Sequence, residues 1–331
     1  MQKLLVEARA RGLVPDTLLL LEHPPVITLG RGAKAHNVLW PSELLASRGF
    51  EVFETDRGGD VTYHGPGQIV GYPVLDLKPD RKDVRKYVAS LEEIMIRVAG
   101  EYGICAARVA GRTGVWTPAG KLGAIGVHIS RWITSHGFAF NVRTDLADFS
   151  AIVPCGIQDA SVASLQSLLG EAPPLHEVED VFALKAGQVW ETEVFEVPPE
   201  LRTVSVTLRR DDGRVLLLRR TAARGGFWQI LTGRMEPGES PLQTAAREVH
   251  EETGFSPLLA DLRELRYVHS LALGGRIPPV FAQETAFAVR VEGEPTLSDE
   301  HDEHRWCTPE EALRLLPFAG LRRAVRVALA L

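Results

Sequence analysis

The 331-residue chain has 45% hydrophobic and 24% charged side chains, an ordinary globular composition, and at about 150 residues per domain its length implies two domains. No apolar run approaches the roughly 20 residues of a membrane span, and the opening Met1-Gln2-Lys3-Leu4-Leu5-Val6-Glu7 carries an acid and lacks a signal-peptide core, so a cytoplasmic protein without a membrane partner is expected. The net charge is −6, with 19 bases against 25 acids in residues 1–200 and 18 of each in residues 201–331, which excludes the positive field of a general nucleic-acid binder.

In chain order, Thr17 to His23 and Val26 to Leu29 read as strands separated by Pro24-Pro25. Val84, Val88, Leu91, Met95, Val98 and Tyr102 step by three or four and predict one helix, capped by Asp83 and closed by Gly103. Gly114 to Trp116, Leu122 to Ile129 and His136 to Val142 read as strands, the last with His136, Phe138, Phe140 and Val142 on one face. A break falls at Pro198-Pro199-Glu200, dividing the chain into residues 1–197 and 198–331. After it, Thr203 to Leu208 alternates like a half-buried strand, Asp211-Asp212-Gly213 supplies a hairpin turn, and Val215 to Leu218 returns. Ser240 then caps a helix that starts at Pro241 and closes at Gly254.

Three segments of the first domain carry chemistry. Arg57 to Gln68 holds four glycines in 12 residues, so its backbone can approach a ligand closely, although taken alone it reads as a tight surface turn. It has neither the Gly-Lys-Ser/Thr of a P-loop nor the GxGxxG fingerprint. Gly120-Lys121-Leu122-Gly123-Ala124-Ile125-Gly126 opens a small-residue strand with a lone lysine, by itself a solvated strand end. Val153-Pro154-Cys155-Gly156-Ile157 sets a cysteine at a bend; a free cysteine is commonly a small buried hydrophobe, and Cys105 and Cys307 keep that reading. With no CxxC pair among the three, a disulfide framework or thiolate zinc site is excluded.

Together with Leu21-Glu22-His23-Pro24-Pro25-Val26 and His136-Gly137-Phe138-Ala139-Phe140-Asn141-Val142, these segments resemble the octanoyltransferase family of lipoate biosynthesis, over about Leu18 to Leu169. The resemblance implies octanoyl transfer from octanoyl-acyl carrier protein to lipoyl domains of 2-oxoacid dehydrogenases and the glycine cleavage H protein, with no cofactor. It makes Cys155 the acyl-thioester nucleophile and Lys121 the group that lowers its pKa. Arg57, Gly58, Gly59, Asp60, Val61, Thr62, Tyr63 and His64, with Ala124, Ile125, Gly126, Gly137, Phe138 and Ala139, would line the acyl pocket. The family carries further residues before the point matching Met1, and Gln2 to Arg11 resembles the tail of its first helix, so either a late-assigned start or a reduced sheet edge is expected.

The chemistry suits those roles. A thiol of pKa about 8.5 is only a few per cent thiolate at neutral pH, and a nearby ammonium raises that fraction. Lysine can pass a proton, whereas arginine, with a pKa above about 12, cannot. That gives a reason for lysine in a chain with 30 arginines and seven lysines. ATP-dependent lipoate or biotin ligases share the fold but need an adenylate loop and no nucleophilic cysteine, which the motif around Cys155 disfavours.

In the second domain Glu248, Glu251 and Glu252 stand at i, i+3 and i+4 on one helix face, with Ala245, Ala246 and Val249 on the packed side. Three like charges favour a cation, and oxygen-only donors favour Mg²⁺ or Mn²⁺; alone, they read better as a solvated acidic face. Gly233, five residues, Glu239, seven residues and Arg247-Glu248-Val249-His250-Glu251-Glu252-Thr253-Gly254-Phe255 resemble the Nudix box. That resemblance implies a hydrolase of a nucleotide or pterin diphosphate. Glu248 and Glu252 would hold the metal with help from Glu239, Glu251 would be catalytic, and Gly233 and Arg247 would be structural. Residues 226–233 and 298–306 resemble dihydroneopterin triphosphate and dNTP pyrophosphatases, with Glu300 as a further carboxylate and Trp228 either stacking on a ring or packed in the core.

The fold expected is therefore α+β and α/β in two domains: a biotin/lipoate ligase-like mixed sheet with helices, then a Nudix α/β/α sandwich. The function expected is a bifunctional enzyme. The alternatives are an octanoyltransferase with a non-catalytic, nucleotide-sensing Nudix domain, and an interaction scaffold with both sites idle.

Overall fold

The computed structural model describes residues 1–153, 161–197, 199–273 and 280–330, so Cys155 and its immediate neighbours lie outside the described residues. Two compact units, Met1–Glu196 and Val197–Leu331, divide the chain. No helix among the described residues is long and apolar enough to cross a membrane.

The first unit runs α1 (Gln2–Ala10), β1 (Thr17–Leu21), β2 (Val26–Leu29), α2 (Ser42–Ser47), β3 (Glu51–Glu54), β4 (Val61–His64), β5 (Gln68–Val74), α3 (Val84–Glu101), β6 (Ala107–Val109), β7 (Arg112–Thr117), β8 (Gly120–Ser130), β9 (Ile133–Asn141), α4 (Leu165–Leu169) and α5 (Leu175–Trp190). A six-stranded sheet orders β1-β5-β9-β8-β7-β6, and a smaller one orders β3-β2-β4. One face of the larger sheet buries Ile69, Leu122, Phe138, Phe140 and Val142 against α3 and α5. Asp83 caps α3 through the Arg85 and Lys86 amides, as its position predicts. The buried stripe of α3 includes Leu91, Met95 and Val98 but adds Tyr87 and Ile94, while Val84 is exposed.

The strands expected on either side of Pro24-Pro25 form and belong to different sheets, because Leu21 pairs with Val70 and Val26 with His64. Two expectations change. Arg57 to Gln68 is more than a surface turn: only Gly65 to Gln68 turns, its centre is the strand β4, and Val61 and Tyr63 are buried in the core of the small sheet. The face expected for His136, Phe138, Phe140 and Val142 holds for the last three, but His136 adopts φ +56° and reaches Asp56 instead.

The second unit runs β10 (Leu201–Arg209), β11 (Val215–Arg220), β12 (Trp228–Gln229), β13 (Leu231–Arg234), α6 (Pro241–Thr253), β14 (Arg263–Leu273), β15 (Val280–Arg290), β16 (His301–Cys307), α7 (Pro309–Leu315) and α8 (Ala319–Leu329). Its mixed sheet pairs β10 in parallel with β15 and antiparallel with β13. Val204, Val206 and Leu208 pack on Ala245 and Val249 of α6, while Val215, Leu217 and Ala286 pack on Leu321, Ala324 and Val325 of α8. The sheet is thus covered on both faces. Ser240 and Gln243 form a reciprocal cap at the start of α6, Pro241 takes its first turn, and Gly254 closes it at φ +70°.

Candidate functional site

In the first unit the two small-residue triplets lie side by side. Ala124 opposes Ala139, Ile125 opposes Phe138, and Gly126 opposes Gly137 across β8 and β9. Strand alternation sends Ile125 and Phe138 to the helix side, where Phe138 stacks on Phe182 with centroids 5.0 Å apart. Phe138 therefore offers only main chain to the other face. That face is floored by Ala124, Gly126, Gly137 and Ala139, side chains short enough to leave room for an alkyl chain.

The Arg57 to Asp60 stretch crosses this floor. The Gly58 amide donates to the Val127 carbonyl at 2.9 Å, and a Cβ on Gly126 would sit 3.0 Å from Arg57 Cδ. Arg57 is 7% exposed and donates to the Thr28 hydroxyl and carbonyl, so it holds β2 to the loop. Asp60 accepts from the Lys34 and Val61 amides and from Asn37, which pins residues 34–37 over the same region. Tyr63 points away into the small core and donates to Asp148 at 2.5 Å. Thr62 lies between these on β4 and is half-buried. His64 is buried, and burial lowers its pKa to about 3. His23, with centroid 5.8 Å away, is lowered to about 4 by burial and meets the Tyr72 hydroxyl at 2.7 Å.

Lys121 stands at the start of β8, only 7% exposed. Its main chain accepts from the Ala163 amide and donates to the Ser161 carbonyl, so the chain that leaves the Cys155 segment is stitched to Lys121. The chain that enters the segment is fixed too, by the Val153 amide donating to the Asn37 carbonyl at 2.8 Å. The Lys121 side chain runs over Gly114, where a Cβ would come within 2.8 Å of Cε, and carries Nζ to 5.2 Å from the Trp116 ring centre.

In the second unit Arg247 is the hub. It makes a two-bond pair with Glu239 at 2.8 and 3.0 Å and also reaches Glu248 at 3.0 Å, Glu251 at 2.8 Å and the Arg234 carbonyl. The pair holds the Glu239 carboxyl down at about 2. Glu248 is 8% exposed, and desolvation pushes its carboxyl up. Gly233 makes room for it, since any Cβ there would overlap the Glu248 carboxylate carbon. Glu252, equally buried, accepts from Ser298 and lies 2.8 Å from His301 Nδ1.

Among the described residues no three such side chains converge into a formed cation cage, because Arg247 engages three of the glutamates. The donor set nonetheless suits a hard divalent ion: buried carboxylate oxygens without competing sulfur or imidazole at Glu248, and a second carboxylate four residues on. Glu300 is held elsewhere, by Arg220 at 3.0 Å and Arg224 at 2.6 Å. Trp228 packs against the core below α8 with the Arg305 guanidinium 5.0 Å over its ring.

Sequence reasoning passed over Gln68, Asn141, His23, Ser298 and His301. All five lie in quoted motifs, but their roles depend on partners far along the chain.

Fold and sites together define a lipoate ligase-like catalytic unit joined to a Nudix unit. The lipoyl protein ligase A/B catalytic domain model matches residues 1–186, and the NUDIX domain model matches residues 199–327. An octanoyltransferase of Myxococcus xanthus is 50% identical over 98% of this chain and 93% of its own length, and one of Koribacter versatilis is 53% identical over 59% and 79%. The chain belongs to the lipoyl protein ligase A/B catalytic family, with its octanoyltransferases as relatives, and carries a NUDIX domain. Among solved structures, a lipoate protein ligase of Thermoplasma acidophilum with bound lipoic acid matches the fold at TM-score 0.50 and 16% identity, over 59% of this chain and 82% of that one. The dihydroneopterin triphosphate pyrophosphohydrolase of E. coli matches at TM-score 0.34 and 25% identity, over 40% of this chain and 96% of that one.

Proposed function

We propose that residues 1–197 transfer an octanoyl group from octanoyl-acyl carrier protein to the lysine of a lipoyl domain, and that residues 198–331 form a metal-dependent Nudix hydrolase. The observation that carries the first reading is the small-residue floor of Ala124, Gly126, Gly137 and Ala139, crossed by Arg57-Gly58 and sharing strand β8 with the buried Lys121. The relative that is 50% identical across nearly the whole chain supports the same activity.

In this reading the Cys155 thiolate attacks the thioester carbon and the carrier thiol leaves, taking the proton that Lys121 accepted from Cys155. The lipoyl-domain amine then attacks the new thioester, an amide forms, and the Cys155 thiolate is released as the nitrogen gives up a proton to the Lys121 amine. Exchange of one thioester for another is nearly balanced, and the amide is the more stable product, so no nucleotide is consumed. Intact-mass measurement after incubation with octanoyl-acyl carrier protein tests this. A single octanoyl adduct, absent in Cys155→Ala, is expected; no adduct, or one that survives the substitution, overturns it.

For the second unit, Glu248 and Glu252 would hold Mg²⁺ or Mn²⁺, with Glu239 and Glu251 at the edge. The ion would neutralise phosphate charge and make water more nucleophilic. Arg247 sets the glutamates before any ion arrives. The residues at 226–233 and 298–306 favour a pterin or nucleotide diphosphate as substrate. Release of phosphate or pyrophosphate from such compounds with Mg²⁺, lost in Glu252→Gln, is the expected result. Binding without turnover would leave the domain as a nucleotide sensor.

A further inference from the structure

A row of polar side chains crosses the floor beside the acyl site, and the direction of every hydrogen bond in it is determined. The Ala163 carbonyl can only accept, so the Asn141 bond to it at 2.9 Å is donated by Nδ2. Asn141 Oδ1 is then the acceptor toward Gln68, its cross-strand partner, at 2.9 Å. Gln68 Nε2 also faces the Tyr63 carbonyl at 3.3 Å, a second group that can only accept. Gln68 Oε1 must therefore accept from His64 Nδ1, 2.7 Å away. Two main-chain carbonyls thus fix both amides and, through them, the histidine. A neutral imidazole has one N–H, so Nε2 keeps its lone pair. The other end of the row has a second effect. Ala163, held by Asn141, is the residue whose amide binds the Lys121 carbonyl.

We propose that Gln68 and Asn141 are positioning residues that lock His64 as the Nδ1–H tautomer, so that Nε2 is a hydrogen-bond acceptor for the incoming lysine amine. This rests on the octanoyltransferase reading. The first half-reaction has no attacking amine, whereas the second brings one whose lone pair must face the thioester while its hydrogens are held away. Nε2 accepts one of those hydrogens without removing it. Gln68 and Asn141, each about 5% exposed or less, are shielded from water that would compete for the same bonds.

The test combines a ring-nitrogen readout with separation of the half-reactions, on the full chain. Long-range ¹H–¹⁵N spectra with histidine labelling, assigned by His64→Gln, are expected to show pyrrole-type Nδ1 and pyridine-type Nε2. Gln68→Met removes the acceptor and is expected to move the proton to Nε2. Gln68→Glu keeps an acceptor there and is expected to retain the tautomer. In single turnover, Gln68→Met should load octanoyl on Cys155 within about twofold of wild type but pass it to a lipoyl domain at least tenfold more slowly, with Gln68→Glu intermediate. An Nε2–H tautomer in the wild type, or transfer by Gln68→Met at the wild-type rate, overturns the proposal. Should Gln68→Met not fold, Gln68→Glu and the wild-type spectrum still decide it. Failure of Cys155 to load in the wild type would instead remove the transferase reading, and the spectrum separates the two.

Discussion

Gly233 lies against the side chain of Glu248 so closely that a Cβ on the glycine would occupy the space of the glutamate's Cγ and carboxylate carbon. The glycine of the motif is therefore a steric requirement of one particular carboxylate, not a turn residue; it sits within strand β13, paired with Val204. Gly233→Ala is expected to cost about 1–3 kcal/mol as an overpacked site. It should displace Glu248 and weaken Mn²⁺ binding at least tenfold in titration, with octanoyl transfer unchanged. Removing the partner's Cγ and carboxylate in Gly233→Ala/Glu248→Ala should recover stability but not metal affinity. Wild-type affinity in the single variant would refute the link.

The buried histidines give the first unit an acid-sensitive stability. His23 and His64 have folded pKa values of about 4 and about 3, below the ordinary 6.5, because burial disfavours their charged forms. As pH falls below 6.5 the unfolded chain takes protons that the folded chain refuses, so stability is full above neutrality and declines from about pH 6.5 toward 4. Each unit of separation corresponds to about 1.4 kcal/mol at most. Hydrogen exchange of peptides spanning β4 and β5 should accelerate between pH 7 and 5 after correction for intrinsic rates. His23→Gln should flatten that dependence; an unchanged slope would count against it.

The second unit carries the opposite sign. Glu284, 4% exposed on β15 opposite Thr203 of β10, is pushed up to about 7 by burial, with Ser205 and Thr203 pulling it back. The folded state then holds a proton that the unfolded chain, near 4.5, has released. Its contribution is present below pH 4.5 and is lost as pH rises through 7. Glu284→Gln should stabilise the β10–β15 region at pH 8 and change it little at pH 4.5, read by the same exchange experiment. Equal effects at both values would show that the carboxyl titrates normally.

The features legible in the sequence are those set by near neighbours. Asp83, Ser240, Pro241 and Gly254 mark helix ends through bonds within one turn, and α3 and α6 appear where they were expected. Strand partners are different. Nothing local says that Leu21 pairs with Val70 while Val26, five residues on, pairs with His64 in another sheet. The glycines of residues 57–68 hid β4, because Gly58 serves a close crossing on Val127 while Gly65 and Gly67 make the turn into β5, where the Gln68 amide donates to the Gly65 carbonyl. Lys121 stood out as a lone lysine in a motif of an arginine-rich chain, and the glutamates of α6 through their spacing. Gln68, Asn141 and His301 did not, since a polar residue on a strand looks solvated until the carbonyl or carboxylate opposite it is known.

Lys121 gives the most direct test of the first site. Its stem passes over Gly114, whose φ of +116° and missing side chain leave the channel in which Cε lies. Arginine in place of Lys121 keeps the charge but needs a wider, planar head and cannot surrender a proton. Lys121→Arg is therefore expected to lower octanoyl transfer at least a hundredfold while the fold holds. Lys121→Met should raise the apparent pKa of the Cys155 thiol by a unit or more, measured as the pH dependence of alkylation in a Cys105→Ala background, since Cys105 is exposed and Cys307 buried. Gly114→Ala should act in the same direction without touching Lys121, by pushing its stem aside. Alkylation profiles that coincide for wild type, Lys121→Met and Gly114→Ala would separate Lys121 from the thiol and leave it a packing role against Trp116.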